Sequence, residues 1–162
     1  MIQKIVSGGQ TGVDRAALDA ALARGFPCGG WCPRGRKAED GPLPAFYPLK
    51  ESSSSAYPVR TEKNVMDSDG TVIITRGTPV GGTALTIRLA GEHKRPCLVI
   101  NASSSRSDAA GQIREWADKN AVKVMNVAGP KESSCAGIYR YANSVILELL
   151  QGILTSDRRS EQ

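Results

Sequence analysis

Ser7-Gly8-Gly9-Gln10-Thr11-Gly12 places three glycines within five positions, after a short apolar run and before a helix-like stretch. Backbone angles open to glycine let successive N–H groups converge on one point, and a helix N-terminus adds free donors and a positive dipole end. The chemistry this pattern supports is capture of an oxyanion; the plainer alternative is a tight turn. A second loop, Arg76-Gly77-Thr78-Pro79-Val80-Gly81-Gly82-Thr83, also follows a strand-like run and opens a helix. Two such loops at strand ends point to a ligand with a phosphate. Neither is a standard nucleotide fingerprint. The first lacks the G-K-[ST] ending of a P-loop, and it fails G-x-G-x-x-G because Gly9 is followed by Gln10-Thr11-Gly12.

Polar residues collect on the same rim. Asp14 and Arg15 open the first helix, Arg34, Arg36 and Lys37 begin a long loop, and Arg60 and Thr61 end it. Arginine binds phosphate oxygens through a planar fork. The candidate anion-binding set is therefore Gly8, Gly9, Gln10, Thr11, Gly12, Asp14, Arg15, Arg34, Arg36, Arg60, Thr61, Gly77, Gly81, Gly82 and Thr83. No catalytic set accompanies it. His93 is the one histidine and stands by Glu92 and Lys94 near a helix end, as a capping or surface residue. The serine runs 52–55 and 103–105 have no histidine placed to activate them and read as loop. Cys28, Cys32, Cys97 and Cys135 include no C-x-x-C pair, so no metal site is expected. Cys28 and Cys97, in apolar runs, are expected to be buried small hydrophobes.

The elements that must position these loops alternate along the chain. Strands are expected at 2–6, 26–32, 70–75, 96–101 and 122–127, where β-branched and apolar runs are bounded by turn residues. Helices are expected at 14–24, ending at Gly25, then at 61–68 with Thr61 as N-cap, 83–93, 108–120 and 138–154. The stretch 33–58, rich in Pro, Gly and Ser, reads as one long irregular loop, functional or disordered. The tail 155–162 reads as disordered. Strands that are apolar throughout, interleaved with helices, predict a single-domain α/β, doubly wound, mostly parallel sheet with helices on both faces, here with expected strand order 2-1-3-4-5. Ligands in such sheets bind at the C-terminal strand ends.

Bulk properties narrow the ligand. The 162 residues, 40% of them hydrophobic, suffice for one core. No apolar run has the length of a membrane span, and no secretory signal opens the chain, so a cytoplasmic protein is expected. The net charge of +5 is dispersed over loops instead of gathered in a block, and only 5% of residues are aromatic. That distribution suits a small anion and disfavours nucleic acid.

Taken together, SGGQTGVDRAALDAAL, GWCPRGRKAEDGPLP, YPLKE, YPVRTEKNVMDSDGTVIIT and GTPVGGTALT resemble the molybdenum cofactor carrier family, over about residues 1–150. That family belongs to a wider Rossmann-like group, which includes the lysine-decarboxylase-like phosphoribohydrolases that release cytokinin and the DNA-processing protein A type. The resemblance implies binding of molybdenum cofactor (molybdopterin) through its terminal phosphate, a homo-oligomer, and molybdoenzymes as recipients. The phosphoribohydrolases carry P-G-G-x-G-T-x-x-E, whose glutamate helps to cleave the N-glycosidic bond. Here the matching stretch ends at Thr86, which supplies no carboxylate. The resemblance thus implies a kept binding platform without the hydrolase chemistry. The alternatives are a nucleotide-binding protein, or a nucleoside-phosphate hydrolase of the same group using Glu39, Asp40 or Asp14, with Glu92 as a further carboxylate in the chain.

Overall fold

The computed structural model describes residues 1–160. The chain runs β1 (Lys4–Val6), α1 (Val13–Ala23), β2 (Cys28–Gly29), β3 (Trp31–Cys32), β4 (Lys50–Glu51), α2 (Tyr57–Met66), β5 (Gly70–Thr75), α3 (Gly81–Glu92), β6 (Cys97–Asn101), α4 (Arg106–Lys119), β7 (Val124–Ala128) and α5 (Ile138–Ser160). Five strands form one parallel sheet in the order β2-β1-β7-β5-β6. Helices α1, α4 and α5 pack together on one face, and α2 and α3 pair on the other. The doubly wound α/β arrangement expected from the sequence is present.

The expected strand order is not. The last strand, β7, lies between β1 and β5 instead of at the sheet edge, paired with both through Ile5↔Met125 and Thr71↔Asn126. Burial explains the place. Met125, Val127 and Asn126 are buried, and the Asn126 amide is satisfied by Thr71 Oγ1 at 3.2 Å. Strand β6 takes the edge with Val99 46% exposed. Counted from β7, the strand order is 3-2-1-4-5, the arrangement of a dinucleotide-binding sheet begun at a different strand. Its switch point, where connections depart in opposite directions, falls between β7 and β5.

The core explains the helices. Ala16, Ala17, Ala20 and Ala21 give α1 a small-residue face against α5, whose Ala142, Val145, Ile146, Leu149 and Leu150 are fully buried. Each such Val, Ile or Leu contributes roughly 1.5–3 kcal/mol of burial. Gly25 terminates α1 at φ 60°, a backbone state that suits glycine.

Other boundaries move for local reasons. The expected strand 26–32 breaks at Gly30, φ 126°, so that β2 joins the main sheet while β3 pairs with β4 in a small second sheet. Helix α2 begins at Tyr57 with Pro58 in its first turn, so Thr61 lies inside the helix and its hydroxyl donates to Tyr57 O at 3.0 Å. The long loop is ordered around its own small core of Ala38, Leu43, Tyr47 and Leu49 against Leu18 and Cys32. Helix α5 continues through Ser160, past the boundary expected at 154, and residues 161–162 lie outside the described residues. Cys28 and Cys97 are half-buried and Cys32 is buried; all four cysteines are free.

Candidate functional site

A cavity of about 540 Å³ opens over the C-terminal ends of β5 and β7, beside the end of β1. Its position is the switch point that the strand order creates. Of the sequence-predicted residues, Gln10, Asp14, Arg60, Thr61, Gly81, Gly82 and Thr83 line it. Gly8, Gly9, Thr11, Gly12, Arg15, Arg34, Arg36 and Gly77 do not, and their places show why.

The first glycine loop is closed around an anion of its own. Asp14, the second residue of α1, folds its side chain back so that the amides of Gln10 and Gly8 act on its carboxylate. The Thr11 amide donates to the Gln10 side chain at 3.0 Å, and the Val13 amide to Pro130 O at 3.3 Å. The amides of Gly8, Gln10, Thr11 and Val13 are thus occupied internally. Gly12, at φ 78°, lies so close to the next loop that a Cβ would run into the Pro130 carbonyl. Gly9, at φ 79°, is covered by Leu43 and Leu49. Gly12→Ala is therefore expected to destabilise the protein by about 1–3 kcal/mol from backbone strain alone, read as a lower midpoint in urea unfolding; an unchanged midpoint would refute this packing.

Burial is the largest influence on Asp14 and pushes its carboxyl up to about 6; Arg60, with Nη1 at 3.8 Å from Oδ2, pulls the other way, as do Arg15 and the two amides. The folded protein holds this proton to higher pH than an unfolded aspartate does. Its stabilising contribution is full below about pH 4 and is lost as pH rises through about 6.

The remaining predicted residues brace the long loop. Arg15 forks onto Asp40 at 2.9 and 3.0 Å and donates to Gly9 O. That bonding holds the Asp40 carboxyl below its usual range. Arg36, at φ 54°, donates to the carbonyls of Leu43, Pro44, Tyr47 and Leu49, fixing the turn of the loop. Arg34 is exposed and its amide donates to Ser54 O. Thr11 donates to Glu39, and Ser133 Oγ donates to the other Glu39 oxygen at 2.6 Å. Bonds from Ser133 and Thr11 hold the Glu39 carboxyl below its usual range. Glu39 and Asp40 are thus clamps between loops, and of the carboxylates considered from the sequence only Asp14 lines the cavity.

Sequence reasoning missed the third wall, the loop after β7. Gly129, Pro130, Lys131, Ser134 and Cys135 line the cavity, as do Arg76 at the end of β5 and Tyr57 in the first turn of α2. The signal was present: AGPKESSCAG is also a strand–glycine–helix passage. Its helix end is occupied too. Glu132 accepts from the Gly137 amide at 2.5 Å and the Tyr139 amide at 2.9 Å, neutralising the start of α5.

Helix α3 differs. Like α1 it has no side-chain cap, but the amides of Gly81 and Gly82 have no acceptor among the described residues. Gly81, at φ 52°, and Gly82 have open space where side chains would stand. Thr86, on the cavity wall, turns its hydroxyl back onto Gly82 O at 2.8 Å. Across the end of β7, Arg60 lies flat over Gly8, whose Cβ would be 2.5 Å from Nη1. Its guanidinium stands 5.6 Å from the Tyr57 ring centre, and Nε is buried without a partner among the described residues.

This geometry has relatives. The crystal structure of "Putative molybdenum carrier protein" from Syntrophus aciditrophicus SB is 47% identical to this chain, with a TM-score of 0.89, over 92% of this chain and 95% of that one. Among curated proteins there is no match. A family model described as the circularly permutated YpsA SLOG family matches residues 5–150, the span from β1 through most of α5. A permuted family is what the strand order of this sheet, begun at β7, requires, and the chain belongs to the circularly permutated YpsA SLOG family.

Proposed function

We propose that the protein carries a molybdopterin-type cofactor as cargo, with its terminal phosphate on the open amides of Gly81 and Gly82. One observation carries this reading: of the three helices that begin at the cleft, α1 has first-turn amides taken up by the Pro130 and Gln10 carbonyls and α5 has its own taken up by Glu132, while the Gly81 and Gly82 amides of α3 have no acceptor among the described residues. An uncapped helix start with two free amides is a phosphate site. The cavity volume of about 540 Å³ falls in the range of small-molecule sites. Tyr57 contributes an aromatic ring to the wall, and Arg60 and Arg76 supply positive charge. The molybdenum carrier name of the similar protein supports the choice of cargo.

The reading entails transfer to molybdoenzymes in the cytoplasm and self-association of the chain. Val99, 46% exposed on the edge strand β6, supports the latter. No helix among the described residues is long and apolar enough to cross a membrane. Native mass spectrometry of gently purified protein is expected to show a bound mass containing molybdenum and a pterin. A retained nucleotide in its place would overturn the carrier reading.

A second reading, hydrolysis of a nucleoside phosphate, has one observation in its favour: Asp14 is a buried carboxyl on the cavity wall, pushed up to about 6. Release of ribose phosphate from a nucleoside monophosphate separates the two readings.

A further inference from the structure

Arg60 is a largely buried cation with incomplete partners. Its side chain is 12% exposed, its nearest carboxylate oxygen, on Asp14, is at 3.8 Å, and Nη1 donates only to Thr61 Oγ1 at 3.0 Å. Nε is buried and bonds to nothing among the described residues. The guanidinium is held in place by Gly8 beneath it and Tyr57 beside it, at the cavity wall. Asp14, in turn, is enclosed by the first glycine loop, with its carboxylate supported by amides, by Arg60 and, more weakly, by Arg15. The pair is close enough to interact and too far apart to be hydrogen-bonded.

We propose that Arg60 forms a second anion subsite, across the end of β7 from the start of α3, and that an anion binds there together with a proton on Asp14. This rests on the phosphate-carrier reading and adds to it that the ligand has two anionic groups. The physical reason is competition for one cation. An incoming anion takes up the Arg60 donors and places a second negative charge beside the Asp14 carboxylate. Both changes favour the neutral carboxylic acid. Asp14 is already disposed to hold a proton by burial, so the added anion carries its titration through neutrality.

The other charged groups do not supply this coupling. Arg15, on the same helix as Asp14, is committed to Asp40, and Lys131 pairs with Glu39 at 3.7 Å. Arg76 donates to Ala136 O at 3.3 Å and carries no carboxylate. His93 closes the far end of α3, paired with Glu62 at 2.9 Å, and is not on the cavity wall.

The test uses sulfate, whose own charge is constant over the range, titrated into ¹⁵N- and ¹³C-labelled protein between about pH 6 and pH 8. The Gly81 and Gly82 amides report the first subsite and the Arg60 Nε–H reports the second. Uptake of one proton predicts that sulfate affinity read at Arg60 weakens by up to about tenfold per pH unit above the free titration of Asp14, while affinity read at Gly81 and Gly82 changes much less. The Asp14 carboxyl ¹³C midpoint is expected to move upward when sulfate saturates the protein, and Asp14→Asn to flatten the Arg60 profile. The ¹³C midpoint keeps the test decisive should that variant fail to fold. Sulfate shifting Gly81 and Gly82 but not Arg60, or shifting Arg60 with no pH dependence, overturns the inference and leaves the carrier reading standing. No response at either subsite overturns both.

Discussion

The protein as it stands is expected to release no appreciable ribose phosphate from AMP or other nucleoside monophosphates. Cleavage of an N-glycosidic bond builds positive charge on the ribose and needs a placed carboxylate to stabilise it or to activate water. In the phosphoribohydrolases whose motif the sequence resembles, that group is a glutamate; here the position is Thr86, whose hydroxyl is directed to Gly82 O. Positioned acid–base groups are worth typically 10²–10⁴-fold, roughly 3–5 kcal/mol of barrier. Glu39 and Asp40 cannot replace it, since both are fixed as loop clamps. Asp14 is the remaining carboxyl on the wall, and it serves the first glycine loop. The measurement compares purified protein with a Thr86→Glu variant. Gain of activity in the variant alone supports a lost active site on a kept platform. Robust turnover by the unmodified protein, abolished by Asp14→Asn, establishes the hydrolase reading in place of the carrier.

Arg60→Ala is expected to weaken binding of a phosphate ligand by about 1.5–3 kcal/mol, roughly 10- to 150-fold, the usual worth of a charge-assisted hydrogen bond. The residue is preorganised: packed over Gly8, against Tyr57, with little side-chain freedom left to lose on binding. Calorimetry with pyrophosphate reads the effect. Arg60→Lys keeps the charge and loses the planar fork, so it is expected to recover only part of the affinity. The truncation also leaves Asp14 without its cation. The variant's folding is therefore checked below about pH 6, where that carboxyl is protonated in the folded state. An unchanged affinity would remove Arg60 from the site.

Much of the site was legible in the chain because its local chemistry is local in sequence. Gly81-Gly82-Thr83 follow a six-residue buried strand and open a helix, and both facts are written in GTVIIT and in the periodicity after it. Asp14, Arg60 and Thr61 were likewise in view as polar residues at element ends. What misled was the assumption that each glycine in such a loop faces a ligand. Gly9 and Gly12 are there because other parts of the chain, Leu43 and Leu49 in one case and Pro130 in the other, pass where a side chain would be. Arg36 reads as a rim cation in sequence and proves to be the hub of its own turn, since four carbonyls converge on it.

The alternation of apolar strands and amphipathic helices determined by itself that this chain is a parallel sheet covered on both faces, because both strand periodicity and helix periodicity are properties of neighbouring residues. That position 86 is a threonine and not a carboxylate was also fixed at that level. The strand order was a matter for the tertiary structure. VMNVA reads as less apolar than CLVIN, yet β7 is central, because Asn126 finds a buried partner in Thr71, a residue 55 positions away. That placement moves the switch point to the ends of β5 and β7 and brings the loop after β7 into the cavity. The same long-range packing decided which helix start is open. The Pro130 and Gln10 carbonyls and the Glu132 carboxylate take up amides at two of the three, and at the start of α3 the Gly81 and Gly82 amides have no acceptor among the described residues.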